Sequence, residues 1–218
     1  MPRFALLGLL LLALGKVALA QVPVEVFGGH ERTTLDVLFF KYFKNQAKEN
    51  SRFLFFNRNR ASVDYRQTST TYLPTFGLTE AISYNHPVLK GLAPVVTVQV
   101  FNTGVFPKAG LQYFHRSERV TLFTWTVVEL ASDPLVDWFV LARWEPPLSE
   151  KLKLFSQLEL VNAFPTAEGD NYSFIQRARV GVRRNAVQVG LGCDWVSTGR
   201  SQYSTTTNAG VFLRYEFP

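Results

Sequence analysis

Residues 205–217 read TTTNAGVFLRYEF. In an extended chain Ala209, Val211, Leu213, Tyr215 and Phe217 fall on one side, and Asn208, Gly210, Arg214 and Glu216 on the other. A strand has a side-chain period of two, so this stretch reads as a strand with one apolar and one polar face. The same period recurs upstream. It marks strands at 22–28, 33–43, 51–65, 70–84, 93–103, 108–116, 119–130, 136–145, 151–162, 172–184, 186–197 and 205–217. The first is the weakest, because Pro23 and the Gly28-Gly29 pair interrupt it. No helical period is sustained past residue 20, and no linker divides 21–218, so a single all-β domain is expected.

The front end is different. Arg3 gives a short positive start, residues 4–14 are apolar, and Ala18-Leu19-Ala20 precedes Gln21 as a small-x-small cleavage signal. Residues 1–20 are therefore expected to be a cleaved secretory signal peptide; the run is too short for a transmembrane helix. Cleavage leaves 198 of 218 residues, removes Arg3 and Lys16, and lowers the formal net charge from +6 to +4. The lone Cys193 excludes an internal disulfide, so the fold is not a stapled scaffold. Aromatics make up 14% of the chain, with 19 Phe, yet mean hydropathy is only +0.03. An exported chain that hides its apolarity in alternation suits a membrane barrel. The positive charge is scattered, and nothing supports nucleic-acid binding.

The alternation that ends on Tyr215 and Phe217 resembles the closing strand of Gram-negative outer-membrane β-barrels, whose C-terminal aromatic pattern is read by the assembly machinery. The resemblance covers about the last ten residues and names no subfamily. It implies a single antiparallel transmembrane β-barrel of about 10–12 strands in the outer membrane of a Gram-negative bacterium. Its partners would be the lipid bilayer, lipopolysaccharide and the assembly machinery. About ten residues is the strand length that crosses a bilayer when tilted.

The faces separate strand by strand. Val136, Trp138, Val140, Ala142 and Trp144 oppose Asp137, Arg143 and Glu145. Leu152, Leu154, Leu158 and Leu160 oppose Lys153, Gln157 and Glu159, and Tyr172, Phe174, Ala178, Val180 and Val182 oppose Arg177, Arg179 and Arg183. Val187, Val189, Leu191, Cys193 and Trp195 oppose Gln188, Gly190, Gly192 and Asp194. A soluble barrel would alternate too. Three further marks favour the membrane. With the last strand ending in the periplasm, Phe43, Tyr84, Trp144, Tyr215 and Phe217 fall at one boundary and Tyr72, Trp138, Tyr172, Phe174 and Trp195 at the other, as aromatic girdles do. Ser117-Glu118 and Arg184-Asn185 read as tight periplasmic turns, against longer outer loops at 163–171 and 198–204. Lys44–Asn50 and 85–92 are exceptions. Third, a turn at Arg184-Asn185 would pair Arg183 with Ala186, Arg179 with Gly190 and Arg177 with Gly192, laying guanidinium groups over bare backbone. Gln176 faces lipid in this scheme and counts against it; Lys41 lies near a strand end and can snorkel.

The inward charges expected are Arg58, Arg60, Asp64, Glu80, Asp137, Arg143, Glu145, Lys153, Glu159, Arg177, Arg179, Arg183, Asp194, Arg214 and Glu216. Their mixed signs allow two arrangements: pairs that fill the barrel, or a narrow water-filled channel with a transverse field. The expected function is a narrow passive channel for small polar or anionic solutes. Arg58, Arg60, Asp64, Arg143, Glu159, Arg177, Arg179, Asp194 and Arg214 would line the lumen, by attraction and hydrogen bonding. A structural or adhesive barrel with a closed lumen, and a soluble lipocalin-like carrier, stay open as alternatives. No cofactor is expected: His30, His86 and His115 form no metal-ligand spacing with one another, with Cys193 or with a carboxylate. His115-Arg116-Ser117 with Glu129 resembles the hydrolytic residues of barrels that deacylate lipid A. Here Glu118-Arg119 follow the serine in place of that family's residues. Strand geometry would also leave His115 opposite Val120 and about 30 Å from Glu129, so an enzyme is disfavoured.

Overall fold

The computed structural model describes residues 22–65 and 74–217. The signal-peptide reading of 1–20 and the girdle position of Tyr72 lie outside them. Twelve strands appear among the described residues: β1 (Val22–Gly29), β2 (Arg32–Lys44), β3 (Asn50–Asp64), β4 (Thr75–Tyr84), β5 (Leu92–Phe101), β6 (Gly104–Arg116), β7 (Val120–Glu129), β8 (Leu135–Trp144), β9 (Lys153–Pro165), β10 (Tyr172–Arg184), β11 (Val187–Gly199) and β12 (Tyr203–Phe217). Each pairs antiparallel with its sequence neighbours, and β1 pairs with β12 to close the barrel. Closure removes the unpaired edges that a lipid environment cannot satisfy.

β1 is the full closing strand, from Val22↔Phe217 to Gly29↔Gly210. Pro23 is tolerated because pairing to β2 begins only at Val24, so the missing N–H falls outside that ladder. Residues 22 and 217 lie at what we term the lower end, which is periplasmic in an outer-membrane barrel.

Apolar side chains look outward. Leu158, Val180 and Leu213 are 46%, 54% and 55% exposed, whereas Glu159 and Arg179 are 4% and 3% exposed. A soluble carrier would have the reverse. Phe43, Trp144, Tyr215 and Phe217 stand exposed at the lower boundary, joined by Phe53. Trp138, Trp195 and Tyr203 are exposed at the upper one, where Phe174 packs on Phe164, Tyr172 and Tyr203. Two-belt placement is what amphipathic rings do at membrane–water boundaries.

Three expectations change. The hairpin turn is Asn185-Ala186, one residue later than expected, with Arg184 paired to Val187. Asn185 takes the left-handed conformation (φ 54°), which an asparagine tolerates better than Arg184 would. The ladder therefore shifts by two: Arg183 faces Gln188, Arg179 faces Gly192 and Arg177 faces Asp194. The outer loops at 163–171 and 198–204 shrink, because pairing continues to Pro165 on β9 and resumes at Tyr203 on β12, and lower connections such as 85–91 are as long. Among the described connections, loop length therefore distinguishes the two ends weakly.

Glu80 is the third change. Gly77, Thr79, Ala81 and Ser83 take the inner face of β4, with Ala81 and Ser83 buried and Gly77 and Thr79 on a cavity wall. Phe76, Leu78, Glu80, Ile82 and Tyr84 are left on the outer face, since parity alternates. Glu80 faces the membrane, not the lumen.

Candidate functional site

The lumen is asymmetric around its circumference. One side is aromatic. Phe123 on β7 is fully buried at the hub, with ring centroids 4.9 Å from Phe40, 5.2 Å from Phe56, 5.3 Å from Trp125 and 5.8 Å from Phe139. Phe56 and Phe123 stack with planes 3° apart, and Phe40 stacks on Phe114. Leu38, Leu54, Ala81, Val95, Val127 and Leu141 extend this apolar surface. β7 supplies Phe123, Trp125 and Val127 to the lumen, and Thr124 and Thr126, which alternate with them, take the outer face.

The other side is ionic, on the arc from β9 through β12 and β1 to β3. Arg60 contacts Asp194 (2.8 Å) and Asp36 (3.4 Å). Arg58 contacts Asp36 and Glu159 (2.9 Å), and Arg177 contacts Glu159 (3.4 Å) and Asp194 (4.0 Å). These six groups form a closed ring of three arginines and three carboxylates. Arg179 links Asp194 (2.8 Å) to Glu25 (3.0 Å), and Arg214 shares Glu25. Below them Arg183 pairs with Glu145 (2.9 Å) and with Glu216. Buried charges persist only when paired and hydrogen-bonded, and a shared network satisfies more than isolated pairs would. β3 and β9 are six places apart in the ring of twelve, so the Arg58–Glu159 contact crosses the full lumen.

The aromatic cluster and the ionic ring together form a septum. Above it lies a cavity of about 580 Å³, with Arg58, Arg60, Arg177, Phe56, Trp125 and Phe139 in its lower wall. Lys108, bonded to Asp137 (2.6 Å), stands on the same wall, and Gln99 donates to Asp137 (3.0 Å). Below the septum, on the β2–β6 side, a second cavity of about 580 Å³ is lined by Tyr42, Leu54, His86, Lys90, Phe114 and Arg116.

The expected lining residues thus divide. Arg58, Arg60 and Arg177 face the upper cavity. Arg143, Glu159 and Arg214 surround a void of only about 10 Å³. Arg179 is sealed in, its guanidinium 3.9 Å from the Phe27 ring centroid, and Asp194 is 1% exposed. Arg214 lies over Phe155 (4.7 Å), and Gln157 accepts from Arg143 (2.9 Å) and from Arg214 (3.0 Å). Asp64 sits at the upper rim, paired in the ladder with Arg32. Glu25, Asp36 and Lys108 are functional neighbours that sequence reasoning missed.

Gly192 shows why the arginine strand faces glycine. A Cβ there would lie 2.7 Å from Arg179 Cδ and 2.9 Å from its Nη1. Arg179 is held by Glu25, Asp194 and Phe27, so it cannot swing away. Gly192→Val is expected to cost about 1–3 kcal/mol by overpacking, read as a lowered denaturation midpoint of the refolded barrel. An unchanged midpoint would mean that Arg179 is not fixed.

His115 and Glu129 do not meet. His115 pairs with Leu122, two residues further along than expected, because the turn spans 117–119. Glu129 lies seven residues beyond Leu122, about 23 Å at the strand rise, and lines the upper cavity.

A closed twelve-strand barrel with an apolar exterior and a polar, ion-paired lumen is the architecture of outer-membrane β-barrel proteins. Among solved structures the chain is similar to the KdgM porin, at 9% identity and TM-score 0.51, over 91% of this chain and 100% of that one. KdgM is also known in complex with disordered oligogalacturonate, at the same identity and score. The NanC porin is similar at 7% identity and TM-score 0.50, over 91% of this chain and 98% of that one. At these identities the likeness is one of fold. No family model and no curated protein matches the sequence.

Proposed function

We propose that the barrel is a narrow passive channel for small polar or anionic solutes, collected in the upper cavity and held at the septum. The observation that carries this reading is the make-up of the cavity wall: Arg58, Arg60 and Arg177 line it beside Lys108, while the ring carboxylates Asp36, Glu159 and Asp194 lie behind them, and the acids on the wall are Asp137 and Glu129. Arg177 is the least committed of the three, with its nearest carboxylate oxygens at 3.4 and 4.0 Å. An entering carboxylate or polar hydroxyl cluster would compete for that guanidinium, because planar forks bind oxyanions bidentately. That a porin of like fold binds oligogalacturonate, a polyanionic saccharide, agrees with this reading. Arg179, Arg143 and Arg214 would act beneath the floor, holding the wall and its field in place.

The test is conductance of the refolded chain in planar bilayers. Small channel steps with anion preference are expected, and Arg60→Ala combined with Arg177→Ala should shift the reversal potential toward cation preference. A folded barrel that never conducts would leave the second reading standing. That reading is a structural barrel with a closed lumen, and it draws on the Arg58–Glu159 bridge and the Phe56–Phe123 stack.

A further inference from the structure

We infer that the upper cavity binds carboxylates with a compact apolar body, the carboxylate on Arg177 and the body against Val161, Ile175 and Val196. The inference rests on the channel reading and narrows its solute. Directly above the ionic ring the lumen turns apolar on one side. Val196, Ile175 and Val161 pair in register across β11, β10 and β9. The row beneath them, two residues along each strand, is Asp194, Arg177 and Glu159. That step is about 7 Å along a strand, the depth of one small ring. All three apolar residues are half-buried and line the cavity. On β8 the row meets Phe139 of the aromatic cluster. On the facing wall Phe101 of β5 and Phe106 of β6 lie with ring centroids 6.0 Å apart, and Phe101 is 39% exposed.

The character of the wall selects the solute. A barrel lumen is ordinarily polar, so apolar side chains that meet its water gain free energy when an apolar body covers them. Polar wall groups are drawn to one another. Gln99 donates to Asp137, which also holds Lys108, and Ser62 shares a hydrogen bond with Thr34 at 3.3 Å. Thr75 and Thr103 stand at the upper rim, and Thr79 and Ser173 add single hydroxyls on β4 and β10. A polyhydroxylated anion would lose water against Val161, Ile175 and Val196 without replacement hydrogen bonds. A carboxylate with an apolar body avoids that cost: its oxygens meet a guanidinium fork below, and its body covers the row above. The cavity volume, about 580 Å³, lies in the range of pockets that take small organic molecules.

The experiment is equilibrium binding to the refolded chain, read by Trp125 fluorescence. Of the four tryptophans, Trp138, Trp144 and Trp195 face outward and are replaced by Phe, while Trp125 lines the cavity. Three probes that do not absorb the exciting light are compared: cyclohexanecarboxylate, gluconate of the same charge, and uncharged cyclohexanemethanol. Cyclohexanecarboxylate should bind about tenfold tighter than either of the others. Val161→Thr with Val196→Thr exchanges a methyl for a hydroxyl on each side of Ile175 and should remove about tenfold of that affinity, with gluconate binding unchanged. Arg177→Ala should weaken both anions, and heat-modifiable migration reports that each variant is folded. Gluconate binding as tightly as cyclohexanecarboxylate would overturn the proposal. So would cyclohexanemethanol binding as tightly, or an affinity unmoved by the threonine pair. Anion-selective conductance without this preference would remove the inference and leave the channel reading; the preference in a barrel that never conducts would do the reverse.

Discussion

Phe56→Ala combined with Phe123→Ala is expected to raise single-channel conductance several-fold. The two rings stack 5.2 Å apart across the lumen, β3 to β7, and Phe123 also reaches Phe40, Trp125 and Phe139. They stand between two cavities of about 580 Å³ each. Removing both rings takes out the hub of the cluster and leaves Phe40, Phe114, Trp125 and Phe139 around a gap, so ions meet a shorter and wider apolar constriction. Apolar constrictions gate by excluding water, so shortening one lowers the barrier steeply. In a dry core each truncation would cost about 3–5 kcal/mol. Here the void opens to water on two sides, and the stability loss should fall below that range. Conductance at the wild-type level in a folded double variant would move the seal from the aromatic side to the ionic ring. The companion variant Arg58→Ala would then be the one to open the channel, since Arg58–Glu159 is the contact that crosses the lumen there.

The strands were legible because lipid demands apolar residues on every second position, whatever the lumen contains. The faces expected for 136–145, 172–184, 186–197 and 205–217 are those observed, since Trp138, Val180, Leu191 and Leu213 are exposed and Asp137, Arg179, Asp194 and Arg214 are buried. The lumen was less legible, because its content is set by partners on other strands. Glu25 sits on the strand discounted for Pro23 and Gly28-Gly29, yet it is the shared carboxylate of Arg179 and Arg214. Lys108 follows 104–107, which reads as a loop but forms the start of β6. The aromatic side gave a misleading contrast: on β7 the lumen receives Phe123, Trp125 and Val127, and the outer face receives Thr124 and Thr126 along with Val120, Leu122 and Val128. Glu80 is different, because the signal was present. Small residues at Gly77, Thr79, Ala81 and Ser83 alternate with Phe76, Leu78, Ile82 and Tyr84, and the parity of Glu80 is that of the large apolar set. Chemical expectation, that a carboxylate belongs in the lumen, overrode the period.

Asp194→Asn should destabilise the barrel by about 3–5 kcal/mol, the range for removing one partner from a buried ion pair. Asp194 is almost fully buried and receives Arg60 and Arg179 at 2.8 Å each, with Arg177 at 4.0 Å. The amide keeps the shape and removes the charge, so the loss reports electrostatics and not a cavity. The closed ring then holds three arginines against two carboxylates, Asp36 and Glu159. Arg179 retains Glu25, but Glu25 also serves Arg214. The uncompensated positive charge lies directly under the upper cavity, so the same substitution should increase anion preference in conductance. The two readouts separate the possibilities. Lowered stability with raised anion preference is expected of a septum that is dry but senses the pore. A stability change under about 0.5 kcal/mol, the ordinary scatter of surface substitutions, would mean that water reaches Arg60 and Arg179. The ionic side would then be the open path, and the aromatic side only its supporting wall.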